Sequence, residues 1–310
     1  PTATILRPTV TVTANRAEIM RIYPKVKSRV ATVRHPEAYS ATGEAQANLL
    51  RKMLDTGITE LTGLQDANQA WGILFDSRER VGIKVNCIGR QASTVALAVA
   101  IAHRLHQAAG IPLENVIIWD RDDWELKRAG FTINRSGPGI RCYSTMEYKQ
   151  PIKLSMATVK FSDALLSCDA LINLALPKQH DICGVTLAMK NHYGSIGNPD
   201  ALHVSNCDPA IPELNATAPI RERQRLIIGD ALRICPYNWE TAEKENALLF
   251  AFDPVAHDFI GRKLLIARRL ADGRQPDYLP YRSGYIATAA KMGLGTDNPD
   301  NMELKEIKLG

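Results

Sequence analysis

The chain has few of the features that mark a membrane protein or a nucleic-acid-binding protein. Its longest apolar run, within Thr94 to Leu105, is followed by charge and is shorter than the about 20 residues of a membrane-spanning helix. Its formal charge of +5 over 310 residues comes from Lys and Arg interspersed with Asp and Glu, without a basic tract. The sequence therefore predicts no membrane span and disfavours nucleic-acid binding.

Close cysteine pairs are also missing. The six cysteines are widely spread, and none has the CxxC spacing typical of cysteine-ligated zinc or iron–sulfur sites. We therefore expect no iron–sulfur cluster held by a cysteine motif. Buried free thiols are the preferred interpretation because some of the cysteines adjoin apolar runs, although an even count also permits disulfides in an exported protein. The cysteines are Cys87, Cys142, Cys168, Cys183, Cys207 and Cys235.

No internal repeat or low-complexity tract interrupts the chain, and its composition of 45% apolar and 23% charged residues is that of a globular protein. Residues 1–28 predict an extended N-terminal arm that could contact another subunit of a homo-oligomer or larger complex, and residues 29–310 predict a single α/β domain. The sequence begins at Pro1 and not at Met, so we expect its N-terminus to be processed, trimmed or an expression boundary, with any targeting peptide already gone. A periplasmic or otherwise exported location is compatible with this start, and a cytoplasmic location is the alternative.

Short β-rich runs alternate with helical patterns, which predicts an α/β fold with a mostly parallel sheet flanked by helices. The clearest unit joins a strand at Val81–Asn86 to a helix at Thr94–Ala109 and a second strand at Val116–Asp120. Gly110 suits the end of that helix. The other predicted elements are strands at 29–34, 170–174, 225–230 and 303–307 and helices at 45–54, 253–270 and toward the end of 278–295.

Polar side chains lie at or just beyond the ends of these strands, where open α/β proteins bind ligands. Lys178 and His180 follow the strand at 170–174, and the loop-rich stretch 177–219 also contains Lys190 and Asn191. The polar residues at the other strand ends are Lys84, Asn86, Asp120 and Asp230. These connections are predicted to converge on one site, and we expect Lys84, Asn86, Lys178, His180, Lys190 and Asn191 to line a single cavity.

Three lysines in this set indicate a pocket for a small anionic ligand such as a phosphate or carboxylate. Lys178 or Lys190 would stabilise negative charge, His180 would move a proton, and the two asparagines would supply directional hydrogen bonds. An extended backbone would place Lys178 and His180 on one face, where a protonated lysine lowers the pKa of the imidazole. The alternative is that His180 only bonds a loop carbonyl.

The same region supplies imidazole and carboxylate groups, the usual ligands of a divalent transition metal. The main candidates for a metal site are His180, His192 and His203. Further candidates are Cys207, Asp230, Asp253, His257 and Asp258. No pair has the HxxxH spacing of a helical metal site, so structural histidines held by hydrogen bonds are the alternative.

Two motifs of this region follow a known family pattern. Leu171–His180 and Gly184–Gly194 match INLPKxKxH and GxTxxxKNxxG, and in this the chain resembles the domain-of-unknown-function 362 family. Shorter matches are Ile83–Asn86, where Val85 replaces a proline of the family, Ile228–Ala231, Asp253–Asp258 and Ala290–Gly295. The resemblance runs from about Ala31 to the end of the chain. It implies a site in this loop; many members look exported, and some carry ferredoxin-like cysteine clusters that are absent here.

Neither the residues nor the resemblance identifies a reaction. The preferred hypothesis is a cofactor- or metal-dependent enzyme acting on a small anionic substrate. The alternative is a non-catalytic cofactor-binding, assembly or structural subunit of a larger complex. Lactate racemase offers an analogy, because it holds a nickel-pincer nucleotide with lysine and histidine side chains in an α/β setting. By that analogy Lys178 or Lys190 would be the tether and His192 or His203 the metal ligand.

Overall fold

The computed structural model describes residues 27–40 and 44–310. Of the predicted N-terminal arm, only Lys27 and Ser28 fall within these residues, and Ser28 begins the first strand. The rest of the arm lies outside the described residues. Within the described residues, no helix is long and apolar enough to cross a membrane.

The strands form one large sheet and two hairpins in the described part of the chain. They are β1 Ser28–Arg34, β2 Val81–Lys84, β3 Val116–Trp119, β4 Arg141–Cys142, β5 Tyr148–Lys153, β6 Thr158–Ser162, β7 Ala170–Ala175, β8 Lys178–His180, β9 Gly184–Thr186, β10 Gln224–Ile234, β11 Glu243–Ala251 and β12 Met302–Lys308. The eight-stranded sheet has the order β12-β1-β11-β10-β7-β2-β3-β4, and β5–β6 and β8–β9 pair separately. Only β11 runs antiparallel to its neighbours, so the sheet is mostly parallel as predicted.

Helices connect most of these strands. They are α1 Ala47–Thr62, α2 Ala67–Leu74, α3 Val95–Ala109, α4 Asp123–Arg128, α5 Asp163–Leu166, α6 Ala188–Asn191, α7 Ala210–Ala216, α8 Ala218–Arg221, α9 Pro254–Ala271, α10 Leu279–Arg282 and α11 Tyr285–Lys291. Short 3-10 turns lie at Leu113–Asn115, His192–Ser195, Pro199–Leu202, Ser205–Cys207 and Pro299–Asn301. The predicted unit is present as β2, α3 and β3, and α3 ends at Gly110 in the left-handed conformation. Asp253 caps α9 by accepting the N–H groups of Val255 and Ala256.

Helices cover both faces of the sheet because successive strand residues alternate between two apolar cores. On β3, Val116 and Ile118 belong to the core that also contains side chains of α1, α2 and α3. Ile117 and Trp119 point the other way, into the core formed with α7, α9 and α11. The fold is therefore a three-layer α/β/α arrangement.

The stretch 177–219 holds more regular structure than its sequence indicates. It contains the β8–β9 hairpin, α6 and α7. Every residue of β8, β9 and α6 is buried, so no polar face produces a periodic pattern. Hydrogen bonds from Lys84 on β2 to Asn191 and from Asn173 on β7 to Ala188 fix this stretch at the carboxyl ends of the parallel strands.

Candidate functional site

A cavity of about 490 Å³ lies at the carboxyl ends of β2 and β3. Seven of the residues singled out from the sequence line it: Lys84, Asn86, Asp120, His180, Lys190, Asn191 and His203. The rest of the wall is formed by Ile88, Arg121, Glu125, Ile182, Thr186, Tyr193, Gly194, Pro199, Asp200 and Trp239. This volume lies in the range of about 300 to 1,000 Å³ that small-molecule sites occupy.

Lys84 and Asp120 form a buried ion pair at the cavity wall. Lys84 Nζ lies 2.7 Å from Asp120 Oδ1, and the two side chains are 1% and 6% exposed. The same carboxylate accepts the backbone N–H groups of Cys87 at 2.6 Å and Arg121 at 2.8 Å. Gly194 packs directly on the pair, since a Cβ there would lie 2.7 Å from both Lys84 Nζ and Asp120 Oδ1. Because Asp120 neutralises Lys84, this lysine is not the cation left for a ligand.

A directed chain of side-chain amides leads from the core to the cavity. Asn173 donates from Nδ2 to the carbonyl of Ala188 at 2.8 Å and accepts at Oδ1 from Asn191 Nδ2 at 2.8 Å. Asn191 Oδ1 in turn accepts from Lys84 Nζ at 3.3 Å and from Asn86 Nδ2 at 3.2 Å. The chain therefore fixes the position and orientation of both asparagines predicted for the site.

Lys190 is a buried lysine without a carboxylate partner among the described residues. Its Nζ lies 3.0 Å from His203 Nε2 and 3.6 Å from the centre of the Tyr193 ring. Burial lowers the pKa of Lys190, partly offset by its neighbours Cys183, Cys207 and Asp200. A buried ammonium without a counter-ion is costly, so the local structure favours either a neutral amine or the arrival of an anion.

His203 holds the amine of Lys190 in place. Its Nδ1 lies 3.3 Å from Asp200 Oδ1 on the opposite side of the ring. Burial, followed by the charge of Lys190, lowers the pKa of His203 to about 4. A neutral His203 therefore accepts the Lys190 N–H at Nε2 and donates its own Nδ1–H to Asp200.

His180 has a defined tautomer. Its Nδ1 accepts the backbone N–H groups of Ile182 at 3.1 Å and Cys183 at 3.3 Å. Burial lowers the pKa of His180 to about 2, with smaller contributions from Lys190, His203 and Lys178. The ring is thus neutral near pH 7, and because Nδ1 is an acceptor, its proton is on Nε2. His180 offers a hydrogen-bond donor to the cavity.

Asp258 holds the turn that carries Lys190 and Asn191. Its carboxylate accepts the N–H groups of Ala188 at 2.8 Å and Met189 at 3.1 Å, the first residues of α6. His257, another proposed metal ligand, lies 3.0 Å from the same carboxylate through Nδ1. Both residues are fully buried and absent from the cavity wall. Asp258, which His257 contacts, therefore positions α6 without lining the cavity.

Lys178 lies next to the cavity but not on its wall. It is fully buried, and its Nζ donates to the carbonyls of Ile88 at 2.7 Å and Gln91 at 3.4 Å. Burial lowers the pKa of Lys178 to about 8. These hydrogen bonds fix the position of the loop that follows β2. This loop contributes Ile88 to the cavity wall.

Asp230 and His192 also lie away from the cavity. Asp230 Oδ2 accepts the N–H of Thr94 at 2.6 Å, at the start of α3. His192 is fully buried, with Nε2 at 2.9 Å from Gln224 Oε1 and Nδ1 at 3.1 Å from Ser195 Oγ. Both ring nitrogens of His192 are thus occupied within the core.

The predicted metal candidates do not come together as a group. Over residues 27–40 and 44–310, no three His, Cys, Asp or Glu side chains are arranged to hold a metal ion. His180 and His203 stack on each other, with ring centres 5.4 Å apart. All six cysteines are buried free thiols, as the sequence predicts.

Two of the wall residues that were not predicted differ in how well the sequence indicates their position. Arg121 directly follows Asp120, so the strand-end argument already points to it. Trp239 follows β10, donates from Nε1 to the carbonyl of Gln179 at 2.7 Å and lies 5.3 Å from the His180 ring. Its local sequence gives no such indication, because its position depends on contacts with a distant segment.

The fold and the cavity define an α/β protein with a site at the carboxyl ends of parallel strands. The wall of this site combines charged and polar side chains with apolar ones. The family described as "Domain of unknown function (DUF362)" matches residues 81–263. That match covers more than half of the 310 residues and includes every residue of the cavity wall. The chain belongs to this family.

One solved structure similar to the chain is the lactate racemase apoprotein from Thermoanaerobacterium thermosaccharolyticum. The two share 10% sequence identity with a TM-score of 0.41, over 77% of this chain and 57% of that chain. The chain therefore spans just over half the length of that protein. No curated protein matches the sequence.

Proposed function

We propose that the cavity binds a small organic anion through Lys190 and that the protein is an enzyme acting on such a substrate. The observation that carries this proposal is the buried Lys190 amine, which contacts His203 and the Tyr193 ring and makes no ion pair with a carboxylate of the described residues, on the wall of a cavity of about 490 Å³. An anion would supply the direct ion-pair partner that no carboxylate of the described residues provides. Lys84, by contrast, is already neutralised by Asp120.

His180 and Lys190 supply different chemistry in this proposal. Neutral His180 donates from Nε2 and can stabilise an oxygen that gains negative charge, because backbone N–H groups hold its Nδ1 as an acceptor. Lys190, whose pKa is lowered by burial, accepts or returns a proton. These roles reverse the sequence-based hypothesis, in which His180 moved the proton and a lysine stabilised charge.

Ile88, Ile182 and Trp239 add apolar surface to the wall of the cavity. A ligand that fills this space combines a charged group with an apolar part, as many organic cofactors do. A cofactor-dependent enzyme fits this shape. The second candidate, a non-catalytic protein that holds an anionic cofactor, fits the same wall.

Calorimetric titration of the purified protein with acetate and phosphate tests the proposed anion site. We expect saturable binding that weakens at least tenfold in Lys190→Met and is unchanged in Lys153→Met, which removes an exposed lysine on β5. Failure of both anions to bind saturably, or equal binding by both variants, would rule out the proposed role of Lys190.

Mass spectrometry and metal analysis of natively purified protein separate the two candidates. Conversion of an added substrate by protein that carries a stoichiometric small molecule or metal, with loss of that conversion when the group is removed, supports the cofactor-dependent enzyme. A stoichiometric group without conversion of any member of a broad substrate panel favours the non-catalytic holder.

A further inference from the structure

The cavity wall contains a hydrogen-bond acceptor that no described residue pairs with. Asn86 is 5% exposed and lines the cavity. Its Oδ1 is buried and makes no hydrogen bond to a group of residues 27–40 and 44–310, whereas its Nδ2 donates to Asn191. An unpaired buried acceptor has lost its hydrogen bonds to water without replacement, which is unfavourable and rare in folded proteins.

The orientation of Asn86 follows from its neighbours. Asn173 Nδ2 faces the carbonyl of Ala188, which can only accept, so Asn173 Oδ1 must accept from Asn191 Nδ2. Asn191 Oδ1 then faces Asn86, and Lys84 Nζ, which can only donate, bonds the same oxygen. A flipped Asn86 would place two acceptor oxygens together. Asn86 therefore presents Nδ2 to Asn191 and keeps Oδ1 free for another donor.

The donor that pairs with Asn86 Oδ1 must be compatible with the local charge. Lys190 is the wall cation without an ion-pair partner among the described residues, whereas Lys84 and Arg121 are paired with Asp120 and Glu125. A cationic donor group in the ligand would be repelled by Lys190. A neutral hydroxyl group satisfies the oxygen without this repulsion.

We infer that the ligand is a hydroxyl-bearing organic anion, whose charged group is held by Lys190 and His180 and whose hydroxyl donates to Asn86 Oδ1. The inference rests on the proposed anion site and specifies the class of ligand it takes. The polar wall then recognises two features of one molecule. An anion without the hydroxyl would satisfy Lys190 but leave the Asn86 oxygen unpaired.

Matched pairs of anions that differ by one hydroxyl test this inference. We would titrate the full chain with acetate and glycolate, and with succinate and malate, and compare dissociation constants within each pair. In the wild-type protein the hydroxyl-bearing member of at least one pair should bind about tenfold tighter, which corresponds to about 1.4 kcal/mol. This ratio needs no variant, so a folding defect cannot obscure it.

Asn86→Ala should reduce the ratio to within twofold. Gln107→Ala, which removes an exposed amide on α3, is the matched control and should keep the wild-type ratio. Equal affinities within both pairs in the wild-type protein, or a ratio that survives in Asn86→Ala, would overturn the inference and leave the anion site standing. Absence of saturable binding by all four anions would overturn both.

Discussion

The amine of Lys190 lies 3.0 Å from Nε2 of His203 and makes no ion pair with a carboxylate of the described residues. His203 is itself oriented by Asp200, whose Oδ1 lies 3.3 Å from Nδ1. This relationship places a lysine with a lowered pKa on the wall of a cavity and leaves its charge to be balanced by a ligand.

Anion binding should be coupled to proton uptake by Lys190. Burial lowers the pKa of this amine in the empty site, and a bound anion favours its charged form, so the affinity for acetate should fall as the pH rises through the pKa of the free amine. Calorimetry in two buffers of different ionisation enthalpy measures the protons taken up. Binding without net proton uptake across the titration of the free amine would contradict this account.

Lys190→Met should not destabilise the empty protein. Replacing a buried amine that has no ion-pair partner among the described residues with an apolar side chain of similar length is expected to be neutral or to increase the free energy of unfolding. Urea unfolding of Lys190→Met and wild type without added anion is the measurement. A large loss of stability would show that the contact with His203 makes the amine a structural group.

Lys178→Met is expected to behave differently from Lys190→Met. It removes the donor to the carbonyls of Ile88 and Gln91, and we expect the free energy of unfolding to fall by about 1–3 kcal/mol. Acetate affinity should change much less than in Lys190→Met. A stable Lys178→Met variant that loses anion binding would restore Lys178 to the catalytic role suggested by the sequence.

His180 should make stability depend on pH. Its pKa is about 2 in the folded chain, well below the value of 6.5 for a free histidine, so the unfolded chain binds the proton first as the pH falls. The free energy of unfolding should therefore decrease between pH 7 and pH 5. His180→Gln should show a shallower decrease, and the exposed His103→Gln should keep the wild-type slope. Identical slopes for all three proteins would contradict the neutral state of His180.

Gly194→Ala should damage the site through steric contact. Its Cβ would lie 2.7 Å from both Lys84 Nζ and Asp120 Oδ1, so the buried ion pair would have to move. We expect lower thermal stability and weaker acetate binding. Gly72→Ala on α2, whose Cβ would lie 3.6 Å from the nearest atom, is the matched control and should be neutral or stabilising. Equal behaviour of the two variants would show that the contact is relieved without consequence.

The sequence predicted the parts of the fold that depend on local pattern. The β2–α3–β3 unit has an amphipathic helix between two apolar strands, and Asp253 precedes Pro254 as a helix cap should. Strand ends also located part of the cavity wall, because neighbouring parallel strands end at one edge. The exported location, the arm and the homo-oligomer stay predictions.

The roles of individual site residues could not be read from the sequence, because they depend on long-range contacts. The sequence does not distinguish the roles of Lys178 and Lys190. In the structure Lys178 donates to loop carbonyls, whereas Lys190 lines the cavity. The acceptor role of His180 Nδ1 arises from two backbone N–H groups in the turn after β8. The neutralisation of Lys84 depends on the pairing of β2 with β3, which brings Asp120 beside it.

The most direct test of the central claim is the NMR signal of the Lys190 side chain during titration with glycolate. Lysine ¹³Cε resonances would be assigned by comparison with Lys190→Met. The account predicts that the Lys190 resonance shifts saturably and that the pKa of its amine rises on binding, while Lys153 is unaffected. A Lys190 resonance that does not respond to glycolate or to the other test anions, with an unchanged pKa, would contradict an anion site in this cavity.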